Sequence, residues 1–83
     1  MKIEQIGDPI RMLAEFAGGS AEPKRFGWNG RSYEIDRVNA RWLDRQPDGY
    51  CLHYTVQVGD ETYYLHFSSV EVQWWLDQVA MDG

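Results

Sequence analysis

The stretch that decides the fold lies at residues 50–67 and reads YCLHYTVQVGDETYYLHF. Apolar and polar side chains alternate on both sides of Gly59-Asp60, which is typical of two strands that each bury one face. A two-residue turn at Gly59-Asp60 aligns the apolar residues of the two strands. The predicted pairs are Leu52 with Phe67, Tyr54 with Leu65 and Val56 with Tyr63. Because the apolar sets coincide in this register, we predict a half-buried β-hairpin.

A second hairpin is predicted around Asn29-Gly30. Asn-Gly favours a two-residue type I′ turn, because both central residues of that turn need positive φ. The turn places Phe26 opposite Tyr33 and Arg25 opposite Glu34. An aromatic pair on one side and an opposite-charge pair on the other both favour this register.

The connection between the two hairpins, residues 36–45, has two interpretations. As a helix it would bury Val38 and Trp42, but its arginines would recur at i, i+4 spacing, where like charges repel. As a strand it would continue from Tyr33 and bend near Asp36-Arg37, as strands do at the corners of small barrels. We favour the bent strand.

Both ends of the chain fit either a short helix or a strand. Residues 9–17 begin with a proline and have a helix-like apolar spacing, yet their apolar residues also alternate. Residues 69–80 alternate too, although Ser68 and Glu71 are spaced as a capping box that starts a helix. We predict one all-β domain over residues 1–83: a small antiparallel twisted sheet or partly open barrel of five to six strands, with a short helix at either end as the alternative.

Composition limits the class of protein. A chain of 83 residues with 43% hydrophobic side chains has enough apolar surface for one modest core. The single cysteine, Cys51, cannot form an internal disulfide, which suits a reducing compartment. The sequence shows no basic-then-apolar leader and no apolar stretch long enough to cross a bilayer. These features predict a cytoplasmic protein with no membrane contact.

Charge and aromatic content point to a binding role. The net charge is −5, yet residues 24–45 carry six basic and three acidic side chains, a local net of +3. Four Trp, five Tyr and three Phe are too many for so small a core to bury completely, so some rings are expected at the surface. We predict a non-catalytic interaction module that binds a protein partner through an exposed aromatic face, with the oligomeric state left open.

The alternative partner is a single-stranded nucleic acid. The candidate contact residues are Trp28, Arg31, Arg37 and Arg41, which combine an aromatic ring with positive charges. Small β-barrels bind single strands through such combinations of stacking and phosphate contact. The acidic net charge weakens any such contact, and ring packing at a barrel end explains the same residues.

A third hypothesis concerns Cys51, His53 and His66. In the predicted hairpin His53 lies opposite His66 on the face away from the core, with Cys51 one pair further along. Two imidazoles and a thiol suit zinc or copper, although polar cross-strand pairs are also common on solvated faces. The same cysteine and histidine would carry any thiol chemistry, but no third group orients them. The sequence has no phosphate-binding loop, metalloprotease helix or paired CxxC motif, so we predict no enzyme and no cofactor.

Residues spread over most of the chain resemble a family of small bacterial domains of unknown function. That family begins G-x-P-I and continues P-x-x-F-x-W-x-G-R-x-Y-x-V-x-x-V-x-x-x-W, followed by closing Y-x-L and W-x-L strands. The matching residues here are Gly7, Pro9, Ile10, Pro23, Phe26, Trp28, Gly30, Arg31, Tyr33, Ile35, Val38, Trp42, Tyr63, Leu65, Trp75 and Leu76. The resemblance implies a compact, mostly β protein in which both ends are strands, and it implies no function.

Overall fold

The computed structural model describes residues 1–18 and 20–81, which form an antiparallel β-sheet. Its strands are β1 (Lys2–Ala17), β2 (Ser20–Trp28), β3 (Arg31–Glu34), β4 (Arg37–Gln46), β5 (Gly49–Val58), β6 (Glu61–Ser68) and β7 (Gln73–Met81). The all-β prediction is confirmed, with seven strands in place of the five or six expected. Within the described ranges no helix is long and apolar enough to cross a membrane.

The strands form one sheet in the order β3-β2-β1-β7-β6-β5-β4. Consecutive strands pair except β3 and β4, which lie at the two ends of this order and are joined by Ile35 and Asp36. Both linker amides bond back to the sheet, Ile35 N–H to the Lys24 carbonyl at 2.9 Å and Asp36 N–H to the Gln57 carbonyl at 2.8 Å. The sheet therefore curls into a half-barrel with one concave and one convex face.

The concave face holds the hydrophobic core. Its buried residues are Ile10, Phe26, Tyr54, Val56, Tyr63, Leu65, Trp74, Leu76 and Val79. The Phe26 ring stacks on Tyr33 at a centroid distance of 5.0 Å and meets Tyr63 edge-on at 5.3 Å. Since β2 and β6 are not neighbours in the sheet, the contact between Phe26 and Tyr63 joins its two halves across the concave face.

Both predicted hairpins are confirmed. Asn29 and Gly30 have φ of 52° and 73°, the positive values that a type I′ turn requires, and β2 pairs with β3 in the predicted register. Gly59 has φ of 58°, and β5 pairs with β6 as predicted. The confirmed pairs are Leu52 with Phe67, Tyr54 with Leu65, Val56 with Tyr63 and His53 with His66. Alternation and turn chemistry were enough to set both registers.

The helical alternative for residues 9–17 and 69–80 is wrong. β1 is extended throughout and pairs with β7 through residues 2–10 and with β2 through residues 11–17, while residues 73–81 form β7. The Ser68 hydroxyl does accept a hydrogen bond from the Glu71 amide at 3.2 Å, as in half a capping box. That bond closes a turn, because Val72 has a positive φ of 52° and the next residue begins β7.

The strand interpretation of residues 36–45 is confirmed over the helix, but β4 does not continue β3 as one bent strand, because the two strands lie at opposite ends of the sheet order. Two residues separate β3 from β4, and the register of β4 with β5 then shifts between Val38 and Ala40. Asn39 is the extra residue of this β-bulge. A helix would have buried Val38 and Trp42 together. β4 instead packs Val38 against the core and leaves Trp42 50% exposed.

Candidate functional site

An aromatic row crosses four strands on the convex face of the sheet. It consists of Trp42, His53, His66 and Trp75, which pair in turn from β4 to β7. Neighbouring ring centroids are 5.0, 5.4 and 6.3 Å apart along the row. Each indole is nearly parallel to its imidazole, at 5° and 14°. This outer aromatic row encloses the histidine pair between two tryptophans.

The two histidines occupy a non-hydrogen-bonded position of the β5–β6 ladder. The Tyr50 carbonyl accepts a hydrogen bond from Ser69, just after β6, whereas the Gln57 carbonyl accepts one on the β4 side. Because backbone groups alternate in direction along a strand, the even-numbered residues of β5 bond to β6 and the odd-numbered ones bond to β4. His53 and His66 therefore face each other where paired Cα atoms are closest, about 4.5 Å apart.

A bulge in β7 brings a carboxylate to the histidine pair. The register of β6 with β7 shifts between Tyr64 and Leu65, and Asp77 is the extra residue on β7. Both Asp77 carboxylate oxygens lie within hydrogen-bond distance of His66 Nδ1, at 2.8 and 2.9 Å. One ligand atom each from His53, His66 and Asp77 lie within 4.8 Å of one another. The fold thus assembles two imidazoles and a carboxylate.

Further carboxylates surround this group. Asp44 Oδ2 lies 3.9 Å from His53 Nε2, and the Trp75 indole donates a hydrogen bond to Glu71 Oε1 at 3.0 Å. The strands β5, β6 and β7 contain no Lys or Arg. Together with Asp77, these acidic groups give this part of the convex face a negative potential, which attracts cations.

Cys51 lies one pair from the histidines, opposite Ser68, as the predicted register requires. Its side chain is buried, and burial together with the negative charges of Asp44, Glu71 and Asp77 raises the pKa of the thiol. A raised pKa keeps the thiol protonated at neutral pH, whereas nucleophiles and metal ligands need the thiolate. Among the described residues, the group of mutually close ligand atoms includes Asp77 and leaves Cys51 out.

The residues considered for nucleic-acid contact lie on two hairpins. Trp28 and Arg31 face each other at the β2–β3 turn, and Arg37 and Arg41 lie on β4. The Trp28 indole donates a hydrogen bond to Asp8 Oδ2 at 2.9 Å and packs against Tyr33, a partly buried ring beside the core. Arg41 is paired with Glu22 at 3.0 Å. Arg37 Nε donates a hydrogen bond to Asn39 Oδ1 at 2.9 Å. The stacking ring and two of the three cations are therefore already engaged within the protein.

Among the strands of residues 1–18 and 20–81, β4 lies at an edge of the sheet and pairs on one side only. Since odd-numbered residues of β5 bond to β4, the observed register points the backbone N–H and C=O of Arg41, Leu43 and Arg45 away from the sheet. The bulge at Asn39 interrupts the start of this side, but the register is regular over residues 40–46. Such a row of outward donors and acceptors is a template for an additional strand.

An apolar cavity of about 520 Å³ opens beside this edge, between the β1–β2 turn and β4–β5. Its lining includes Phe16, Ala21, Leu43, Tyr50 and Leu52. Phe16 is 70% exposed, Leu43 45% and Tyr50 40%. Large apolar side chains that are exposed together around a concavity are typical of a binding site.

Two polar contacts join the walls of the cavity. The Tyr54 hydroxyl donates a hydrogen bond to the Ala21 carbonyl at 2.7 Å, and Arg41 pairs with Glu22 at 3.0 Å. They connect β2 to β5 and β4, strands that are not neighbours in the sheet. The spacing of the two walls is therefore set by the protein itself, and the cavity is preformed.

Sequence reasoning located the histidines and missed Asp77 and the cavity. The carboxylate reaches His66 because of the β7 bulge, which no turn residue marks. One signal was present: apolar residues at Trp74 and Leu76 are followed by Val79, so the alternation is delayed by one polar residue. The cavity residues come from distant parts of the chain, and nothing local in the sequence joins them.

Comparisons of the chain with models of protein families, with curated proteins and with solved structures found no match. The resemblance to the family of small bacterial domains therefore stays a prediction, supported by the residues that carry it. The functional argument rests on the geometry of this chain alone.

Proposed function

We propose that this protein is a non-catalytic interaction module that binds an extended segment of a protein partner at the free edge of β4. The observation that carries the proposal is the position of the regular, unpaired edge over residues 40–46 beside the apolar cavity. In strand addition, main-chain hydrogen bonds supply affinity, and pockets for alternate side chains supply specificity. The β4 edge offers the main-chain hydrogen bonds, and the cavity offers a pocket for side chains.

The surroundings of the edge define the chemistry of the partner segment. Side chains alternate along a strand, so every second residue of an added strand would point toward the cavity walls formed by Phe16, Leu43 and Tyr50. Arg45 is exposed and takes part in no ion pair among the residues that the structure describes. We therefore propose an extended segment with large apolar residues at alternate positions and acidic residues near Arg45.

A free cysteine and the absence of any disulfide in the described chain suit a cytoplasmic partner, and we place the interaction there. Nucleic acid is the less favoured partner. Its proposed stacking ring, Trp28, is hydrogen-bonded within the protein, and Arg41 already has a carboxylate partner.

The experiment selects peptides from a random nine-residue library on the native protein and measures their affinity for two variants of one edge residue. Arg45→Pro removes the outward N–H, whereas Arg45→Ala keeps it, and both remove the charge. A proline is tolerated there because its missing N–H faces solvent, not β5. We expect selected peptides to bind Arg45→Pro about tenfold more weakly than Arg45→Ala, the effect of one lost hydrogen bond.

Thermal unfolding of both variants serves as the folding control. Equal affinity for the two variants would contradict binding at the β4 edge. The nucleic-acid alternative would be favoured by two results together. The library would yield no peptide, and a short single-stranded oligonucleotide would cause salt-sensitive NMR shifts at Arg31 and Arg37. Concentration-dependent sedimentation of the protein alone would indicate that a second copy occupies the edge.

A further inference from the structure

The convex face carries a donor set that the edge-binding role does not use. His53 and His66 offer ring nitrogens and Asp77 a carboxylate oxygen, all within 4.8 Å of one another. Two imidazoles and one carboxylate are a ligand set for borderline divalent ions, of which Zn²⁺ is the common representative. We propose that His53, His66 and Asp77 form a Zn²⁺-type divalent cation site, with a coordination position left open.

The separations of the ligand atoms are compatible with binding after a small side-chain movement. With Zn–N and Zn–O bonds of about 2.0–2.1 Å, two ligands of a tetrahedral ion are about 3.3 Å apart. No separation between the three ligand atoms exceeds 4.8 Å, so each pair has to shorten by at most roughly 1.5 Å. Small rotations about side-chain torsions would bring the three ligand atoms together, because the three residues already project from neighbouring strands on one face.

The backbone holds these three side chains in place. The non-hydrogen-bonded pairing brings His53 and His66 to the closest cross-strand approach that a sheet allows. The bulge aims Asp77 at His66 from the next strand, and bulges are common beside functional sites. The same bulge returns Val79 to the core face after Leu76, so the packing of the core fixes the position of Asp77 on the opposite face.

Flanking groups further support the site. Trp42 and Trp75 stack on the outer sides of the two imidazoles and limit their rotation. Asp44 Oδ2, at 3.9 Å from His53 Nε2, is placed to interact with that ring from outside the ligand set. The side chains of His53 and His66 are 25% and 22% exposed, so an ion can reach them from solvent.

The first experiment is a calorimetric Zn²⁺ titration of chelator-treated protein at pH 7.5, with the imidazole NMR signals recorded in parallel. We expect one ion per chain and movement of both histidine ring signals. His66→Gln and Asp77→Asn should each weaken Zn²⁺ binding by about 10- to 100-fold or more. That range is seen when a group that only hydrogen-bonds to a metal ligand is removed. Asp60→Asn, in the exposed β5–β6 turn, is the matched control for loss of a carboxylate and should bind like the native protein.

A second measurement uses the tryptophans that stack on the histidines. Cu²⁺ should quench the emission of the native protein, and Trp42→Phe with Trp75→Phe together should remove most of that quenching. The proposal would be overturned if Asp77→Asn bound Zn²⁺ as tightly as the native protein. It would also be overturned if Asp60→Asn lost as much Zn²⁺ affinity as Asp77→Asn. Loss of Zn²⁺ binding in Cys51→Ser would also overturn it, because the thiol would then belong to the ligand set. Far-ultraviolet circular dichroism confirms that each variant is folded.

Discussion

At the scale of single residues, Tyr54 connects the core to the wall of the cavity. Its ring is 3% exposed, and its hydroxyl donates a hydrogen bond to the Ala21 carbonyl at 2.7 Å. Burial raises the pKa of this phenol, because the phenolate would lose its hydration. Burial also raises the pKa of Tyr63, with the nearby Glu61 carboxylate adding to the shift.

Tyr54→Phe should lower the free energy of unfolding by about 1–2 kcal/mol at neutral pH, since the Ala21 carbonyl loses its donor. The pKa in the folded state is raised above the ordinary value of 10.0, so the contribution of the hydroxyl is complete below pH 10 and is lost as the pH rises through the folded value. In urea unfolding, the difference between native protein and variant should be constant from about pH 7 to 9 and shrink above pH 10. A difference that persists unchanged at pH 11 would contradict this assignment.

At the scale of elements, the β6–β7 turn contains the one described non-glycine residue outside the Asn29 turn with positive φ. Val72 has φ of 52° and is 75% exposed. A β-branched side chain is poorly accommodated there, because its Cβ substituents crowd the backbone. The same turn packs closely on Gly49, where an added Cβ would lie 2.5 Å from Ser69 Oγ. The turn is therefore strained at Val72 and held in place by its contact with β5.

Val72→Asn should raise the free energy of unfolding by about 1 kcal/mol, because asparagine adopts positive φ at lower cost. Val70→Asn is the matched control, since Val70 is also exposed but has ordinary backbone angles. Denaturant unfolding of the two variants measures the difference. A gain of equal size in both would attribute the effect to the replacement of an exposed apolar side chain by a polar one and not to backbone strain.

The elements differ in how far the sequence could predict them. The hairpins around Asn29-Gly30 and Gly59-Asp60 were predictable because a two-residue turn fixes the register of all the pairs that follow. The start of β7 could not be predicted, because Ser68 and Glu71 form the same local hydrogen bond in a turn as at the start of a helix. Asp77 was not predictable as a site residue, since its direction depends on pairing with strands on both sides of β7.

At the scale of the whole molecule, Phe26 carries much of the contact between the two halves of the sheet. It is 1% exposed and touches Tyr33 on β3 and Tyr63 on β6. Phe26→Ala should lower the free energy of unfolding by about 3–5 kcal/mol, because it removes buried surface and leaves a cavity. Phe16→Ala, at a site 70% exposed, should change it by less than about 0.5 kcal/mol.

Circular dichroism and tryptophan fluorescence should give coincident unfolding curves for both variants, since the two halves share one core. Separate transitions in Phe26→Ala would mean that the β2–β3 hairpin is held to the rest of the sheet mainly by this one ring. The alternation of apolar residues gives the sheet one buried face, which is why a single sheet closing around a core was predictable. The cavity was not, because its walls meet only after the sheet has curled.

The two-residue linker at Ile35 and Asp36 has a consequence for the shape of the cavity. A flat sheet of seven strands, spaced about 4.8 Å apart, would separate its outer strands by about 29 Å. The backbone from Glu34 to Arg37 spans at most about 11 Å. Chain connectivity alone therefore forbids flattening, and it pins the two borders of the sheet together at one end. Any change in curvature must then appear as a rotation about this pinned corner, with the largest displacement at the far end, where Phe16 and Tyr50 line the cavity mouth.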